Sequence, residues 1–201
     1  KRASLTVSAL RRQHAHLALT RVQLQGIAAC RPGLGVRAAA IPTVALDALT
    51  TAKDAARQVR KAWGMPPGPA ADLTASLETA GVLVVARDLG SGRLDAVSQW
   101  DGTQPPLILA NHHAPADRYR FSLAHELKHV LDNPFVHVLY PATLGMDTHE
   151  RAELVCDYFA ACLLMPKAWV RRAWATERMQ DLPRLARRFG VLRGRAPCGR
   201  Q

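Results

Sequence analysis

The sequence has 201 residues, a formal net charge of +11 and 48% hydrophobic residues. These values suit one globular domain with an appendage and exclude an intrinsically disordered or collagen-like chain. The charge is uneven, because residues 1–61 carry +9, residues 62–166 carry −6 and residues 167–201 carry +8. The basic total therefore does not describe the acidic centre, and we expect the ends and the centre to have different roles.

The four cysteines are too scattered for a disulfide framework, and no C-x-x-C pair is present. No apolar run has the roughly eighteen residues that a membrane span needs. We therefore expect a cytoplasmic protein with no membrane partner. The chain opens at Lys1 without an initiator Met, so we also expect that upstream sequence has been removed or left out.

Helical patterns and breakers predict the first elements in chain order. Leucines at helical spacing predict one helix or a broken pair over Ser4–Cys30, followed by a linker over residues 33–42. A second helical stretch over residues 43–63 ends at a cluster of glycine and proline. A short helix over Ala70–Thr79 follows.

Three strands and four helices are predicted for the rest of the chain. The strands cover Val82–Val85, Asp95–Trp100 and Pro106–Ala110. We place the third strand at a sheet edge, because its leading prolines cannot donate ladder hydrogen bonds. The helices cover residues 117–131, 149–164, 167–175 and 182–189.

A histidine pair with an intervening glutamate stands in the helix predicted over residues 117–131. His125, Glu126 and His129 form the H-E-x-x-H pattern of zinc hydrolases. Histidines four residues apart share a helical face, about 6 Å apart along the axis, so their rings can converge on one metal ion. We predict that His125 and His129 bind Zn²⁺ and that Glu126 accepts a proton from water.

A catalytic zinc needs a third protein ligand, and the next predicted helix offers one. Glu153 and Asp157 stand at i, i+4 on one face of that helix. We predict that Glu153 ligates the metal and that Asp157 accepts the free N–H of a metal-binding histidine. His149 and Glu150 compete for the ligand position. We rank Glu150 below Glu153 because its i+4 neighbour is Leu154 rather than a carboxylate.

Two motifs in fixed order carry a family resemblance. The first is FSLAHELKHV at residues 121–130, and the second is ELVCDYFAACLLMP at residues 153–166. They resemble the ImmA/IrrE family of metallo-endopeptidases, whose patterns are H-E-x-G-H and E-x-x-A-N-x-F-A-x-x-L-L-M-P. The similarity continues backward through Ala110-Asn111 and the strand after Gly81 to Ala62–Pro66, and so spans residues 50–190.

The resemblance implies a compact, zincin-like α+β domain. A small three-stranded sheet would pack on the active-site helix and the glutamate-bearing helix, with a helical extension at the N-terminus. We assign residues 46–190 to this zinc metallopeptidase domain, residues 1–45 to a basic helical extension or connector, and residues 191–201 to a basic tail. Family members often carry a helix-turn-helix domain upstream, and residues 1–45 resemble the helical connector that follows such a domain.

The resemblance also implies a substrate class. Members cut helix-turn-helix repressors and so relieve transcriptional repression in stress responses and mobile elements. The alternative hypothesis is a DNA-binding regulator with a structural or inactive zinc site, which draws on the basic ends. Its contacts would be arginines in the two basic ends: Arg11, Arg12, Arg184, Arg187, Arg188, Arg193 and Arg195. Weak DNA contact through the termini is compatible with either hypothesis.

Three positions depart from the family patterns. Lys128 replaces a glycine, and we expect its long cation at the rim of the cleft. Asp157 replaces an asparagine but keeps an acceptor oxygen. Cys156 stands where alanine is common, and we interpret it as a small buried apolar residue in preference to a metal ligand.

Four further residues are candidates for contacts with substrate or with the oxyanion of the reaction. His112 and His113 follow the third predicted strand, and Tyr140 and His149 lie between the two motifs. The third strand, if it lies at the sheet edge, is also able to bind an extended substrate by strand addition.

Overall fold

The computed structural model describes residues 7–31, 51–90, 94–132, 148–176 and 182–189. Within these ranges the chain forms seven helices and one three-stranded sheet. The helices are α1 (Val7–Cys30), α2 (Ala52–Ala62), α3 (Leu73–Thr79), α4 (Ala116–Asp132), α5 (Thr148–Leu164), α6 (Lys167–Thr176) and α7 (Leu182–Phe189). The strands are β1 (Leu83–Arg87), β2 (Ala96–Gln99) and β3 (Leu107–Asn111). The predicted α+β class is confirmed.

Side-chain caps and glycines set the ends of α2 and α3. Thr51 accepts a hydrogen bond from the backbone N–H of Asp54 at 3.2 Å, and Asp72 accepts one from that of Ala75 at 2.9 Å. Gly64 and Gly81, just beyond the two helices, have φ angles of 58° and 88°, which favour glycine. These local signals explain why both helices lie on predicted segments.

The sheet has the strand order β1-β3-β2, so β3 is its central strand. It pairs parallel with β1 and antiparallel with β2. The prediction that this strand lies at the sheet edge was therefore wrong, and strand addition cannot occur on it. Pro105 and Pro106 precede the ladder, whose first paired residue is Leu107, so they remove no hydrogen bond from it.

One face of the sheet packs on the helices that carry the predicted site. The main core contains Ile108 and Ala110 from β3, Leu123 and Leu127 from α4, and Phe159 from α5, all with no exposed surface. Residues from α2 and α3 join the same core. This packing fixes α4 against α5 and so brings the two motifs together.

Helix α1 covers the opposite face of the sheet. Leu17 packs there against Leu89, Val97 and Leu109. The helix is also tied to the connections between strands, because Gln13 Nε2 donates to the carbonyl oxygen of Leu89 at 2.9 Å. The predicted helix is thus observed with its inner face buried, whereas the predicted division into residues 1–45, 46–190 and 191–201 stays a prediction.

Several predictions fall outside the described ranges. They are the linker over residues 33–42, the first part of the stretch over residues 43–63, and the tail over residues 191–201. In the part of the chain that is described, no helix combines the length and the apolar character needed to cross a bilayer.

Candidate metal centre

Helix α4 places the two histidines of the first motif side by side. His125 Nε2 and His129 Nε2 lie 3.1 Å apart, as expected for one face of a helix at i, i+4. The His125 side chain is 13% exposed and the His129 side chain is 20% exposed, so both rings are mostly buried but still reach solvent.

Helix α5 brings its predicted carboxylates to these rings. The Glu153 oxygens lie 3.5 Å from His125 Nε2 and 3.2 Å from His129 Nε2. One turn later, Asp157 Oδ1 lies 2.8 Å from His125 Nδ1. The structure therefore brings together four of the predicted residues, with Glu153 facing the two Nε2 atoms and Asp157 facing the other nitrogen of one ring.

Cys156 contacts the remaining ring nitrogen. Its Sγ atom lies 3.6 Å from His129 Nδ1, and the residue has no exposed surface. Each histidine ring is thus contacted at Nδ1 by a residue of α5, Asp157 for His125 and Cys156 for His129. Contacts of this kind orient metal-binding imidazoles and fix which nitrogen carries the proton.

The spacing of the donor atoms fits a tetrahedral metal ion. With zinc–nitrogen and zinc–oxygen distances of about 2.0–2.1 Å, two ligand atoms of a tetrahedron lie about 3.3 Å apart. The two Nε2 atoms lie 3.1 Å apart, and Glu153 places Oε1 3.2 Å from His129 Nε2 and Oε2 3.5 Å from His125 Nε2. Two imidazoles and one carboxylate form a donor set typical of catalytic zinc.

A second ligand set shares the two histidines. His125, His129 and Cys156 each offer a ligand atom within 4.8 Å of the others. In this set, however, the sulfur faces Nδ1 of His129, on the other side of the ring from the Nε2 atom that faces His125. The ring orientations therefore favour Glu153 over Cys156 as the third ligand.

The charges of the site favour a carboxylate and a neutral thiol. Hydrogen bonds from His125 and His129 hold the pKa of Glu153 far below its usual value. Burial lowers the pKa of His125, but its hydrogen bond to Glu153 and the nearby charge of Glu126 outweigh that effect and raise it. In the metal-free site, burial and then the charge of Asp132 raise the pKa of Cys156.

Glu126 lies beside the histidines and is only 4% exposed. Its Oε2 atom accepts a hydrogen bond of 2.6 Å from the Ser98 hydroxyl on β2. Ser98 was not among the residues predicted for the site. The sequence indicated this position only through the alternation of side chains along β2, which puts Ser98 on the same face as the buried Ala96.

Lys128 does not lie at the cleft rim, so that expectation was wrong. The side chain is 4% exposed, and its Nζ atom forms an ion pair with Asp132, which is 2% exposed. Asp132 stands at i+4 on α4 and supplies the counter-charge that a buried ammonium requires. The lysine thus points into the protein beneath the site.

The other four candidate residues are only partly described. The rings of His112 and His113 contact each other, and His113 Nε2 lies 3.8 Å from Asp88 Oδ2. Tyr140 lies outside the described residues, as does the side chain of His149. Their proposed contacts with substrate stay predictions.

The arginines of the alternative hypothesis are only partly described. Arg11, Arg12 and Arg184 have exposed side chains. Arg193 and Arg195 lie outside the described residues, as do the side chains of Arg187 and Arg188.

Comparison with known proteins agrees with the site. The sequence model of the Peptidase_M78 family, described as the IrrE N-terminal-like domain, matches residues 77–196, a range that contains both motifs. No curated protein matches the chain. The match covers more than half of the chain, from α3 through the region of α7. The chain therefore belongs to the Peptidase_M78 family, the ImmA/IrrE family of metallopeptidases.

Proposed function

We propose that this chain is a zinc-dependent endopeptidase that cleaves a helix-turn-helix transcriptional repressor and so relieves repression in a stress response or a mobile element. One observation carries the enzymatic part. In a chain of a metallopeptidase family, two ring nitrogens and the Glu153 carboxylate converge within 3.1–3.5 Å, with the Glu126 carboxylate beside them.

In this proposal His125, His129 and Glu153 hold the metal. Bound zinc supplies Lewis acidity, which polarises the scissile carbonyl and makes water more acidic. Asp157 accepts the Nδ1–H of His125 and so keeps its Nε2 atom available as a ligand. The Cys156 sulfur has the corresponding position at Nδ1 of His129.

Glu126 moves the proton. It adjoins His125 on α4, and its charge acts on the His125 ring. As general base it takes a proton from the attacking water, and it then returns that proton to the leaving amine. Its burial strengthens this role, because few competing waters reach the carboxylate.

The sheet offers a place for the substrate backbone. Within the described residues β2 is an outer strand of the sheet, and Ser98 on this strand contacts Glu126. An extended peptide that lies along β2 would therefore pass the general base. This position replaces the third strand, whose two sides are both paired.

The repressor as substrate rests on the family resemblance. The two motifs that place the metal-binding and catalytic residues are those of the ImmA/IrrE family, whose members cut helix-turn-helix repressors. The basic ends of the chain are consistent with an enzyme that works near DNA-bound repressor.

The test is cleavage of a helix-turn-helix repressor, for which any small repressor encoded beside this gene is the first candidate, followed by mass spectrometry of the products. Zinc-loaded protein should cut it, a chelator should stop the cut, and added zinc should restore it. Glu126→Gln should be at least about 100-fold slower. Glu78→Gln makes the same change at an exposed position on α3 and should cut normally. If Glu126→Gln cut as fast as wild type, the proposed mechanism would be wrong.

A further inference from the structure

Ser98 places a hydroxyl on the face of β2 that packs against α4. Its neighbour at i−2, Ala96, belongs to the core shared with α4, whereas Val97 belongs to the core beneath α1. Because strand side chains alternate, Ser98 shares the face of Ala96. Its ladder partner Ile108 lies in the same apolar core. A hydroxyl on such a face destabilises the fold unless it is hydrogen bonded.

The Ser98 hydroxyl finds its partner in the Glu126 carboxylate. The Oγ–Oε2 distance of 2.6 Å is that of a short hydrogen bond to an ionised acceptor. The contact links two elements, since Ser98 lies on β2 and Glu126 lies on α4, 28 positions further along the sequence. The strand thus fixes the orientation of a side chain that the helix alone leaves free to rotate.

That rotation matters for the chemistry. The last torsion of a glutamate is broad and roughly two-fold, so an unanchored carboxylate samples many orientations. A misplacement of about 1 Å in a reacting group can reduce a rate by about 100-fold. The hydrogen bond from Ser98 to Oε2 restricts the rotation of the Glu126 carboxylate. The carboxylate then offers its acceptor atoms to water in one plane.

We propose that Ser98 is a positioning residue that holds the Glu126 carboxylate in the orientation for proton transfer. This inference rests on the proposed function, because it requires Glu126 to be the proton acceptor. It assigns a role in catalysis to a strand residue that lies outside both sequence motifs.

A matched pair of substitutions tests the hydroxyl. Ser98→Thr keeps the hydroxyl and adds a methyl group. Ser98→Val has the shape of threonine but lacks the hydroxyl, so the two variants differ only in that group. With the repressor as substrate, Ser98→Val should lower kcat by about 10- to 100-fold with KM and zinc affinity unchanged. Ser98→Thr should recover most of kcat. Equal rates for the two variants, or a full rate for Ser98→Val, would overturn the inference.

A binding measurement tests the same point without turnover. Acetohydroxamate chelates zinc through two oxygens and passes a proton to a nearby carboxylate when it binds. Its affinity for the zinc-loaded protein should fall about 10-fold in Ser98→Val and remain near wild type in Ser98→Thr. An unchanged affinity in Ser98→Val would contradict the role of Ser98. Ser98→Ala serves as a smaller variant if the added methyl groups prevent folding.

The same assays separate the two proposals. A wild-type rate in Glu126→Gln means that the general-base assignment, and with it the proposed function, is wrong. A large loss in Glu126→Gln together with a full rate in Ser98→Val means that only the role of Ser98 is wrong.

Discussion

Asp157 has a role that zinc affinity can measure. Its carboxylate lies 2.8 Å from His125 Nδ1 and is 56% exposed, so it contacts the ring without being buried by the core. Loss of a partner of this kind lowers metal affinity by about 10- to 100-fold. We predict such a loss for Asp157→Ala and a smaller one for Asp157→Asn, which keeps an acceptor oxygen. Competition with a chromophoric chelator measures both, and equal affinities for wild type and Asp157→Ala would contradict the prediction.

The metal-free site makes stability depend on pH. The pKa of Glu153 is lowered and that of His125 is raised in the folded protein. A carboxyl group whose pKa is lowered by folding adds to the free energy of unfolding. This contribution is complete above the ordinary carboxyl pKa of about 4.3 and is lost as pH falls through the pKa of the folded protein. A histidine whose pKa is raised by folding also adds to the free energy of unfolding. This contribution is complete below the ordinary histidine pKa of about 6.5 and is lost as pH rises through the pKa of the folded protein.

Both gains are therefore complete between about pH 4.3 and 6.5. We predict that, in chelator-treated protein, wild type exceeds Glu153→Gln in free energy of unfolding by the largest margin in this window. The margin should shrink on either side. Urea unfolding of both proteins across the pH range measures it, and a margin independent of pH would refute the assignment of these charges.

At the scale of elements, α4 carries a buried ion pair under its metal-binding face. Removing one partner of such a pair costs about 3–5 kcal/mol, because the other charge stays buried. We predict this loss for Lys128→Met, measured as the free energy of unfolding in urea. The double variant Lys128→Met with Asp132→Leu should regain most of it, since neither charge then remains. A single variant as stable as wild type would show that the pair contributes little.

The elements that sequence predicts well are those with strong local signals. Helix α4 was expected over residues 117–131 and spans Ala116–Asp132. Its motif alone sets the spacing of His125 and His129. Helix α5 likewise matches its prediction within one residue at its start. In these cases one helix period determines which side chains share a face.

The misplaced elements depended on contacts distant in sequence. The prolines before β3 were interpreted as a sign of an edge strand, but all five residues of β3 are buried. That continuous apolar run is typical of a strand covered on both faces, and it was present in the sequence. The surroundings of Ser98 and Lys128 were harder to predict from the sequence, because tertiary packing determines which elements face these two side chains.

At the scale of the whole molecule, the sheet lies between two apolar layers. Leu17 on the inner face of α1 is 4% exposed, whereas Leu19 on the same helix is 58% exposed. We predict that Leu17→Ala lowers the free energy of unfolding by about 2–5 kcal/mol. Leu19→Ala makes the same chemical change and should alter it by less than about 0.5 kcal/mol.

Urea unfolding of the two leucine variants measures the difference. Equal effects would mean that α1 does not pack on the sheet in solution. The same result would also argue against the apolar layer between α1 and the sheet. That layer separates α1 from residues 62–166, the acidic part of the chain that carries the candidate metal centre.

The central claim is that His125, His129 and Glu153 are the metal ligands. Cobalt substitution tests it most directly, because Co²⁺ binds at zinc sites and its absorption spectrum shows whether a thiolate is a ligand. Wild type should bind one Co²⁺ per chain without an intense sulfur-to-cobalt band. Cys156→Ser should keep that spectrum, and Glu153→Gln should lose most of the affinity. A strong sulfur band in wild type that vanishes in Cys156→Ser and persists in Glu153→Gln would contradict the ligand set His125, His129 and Glu153.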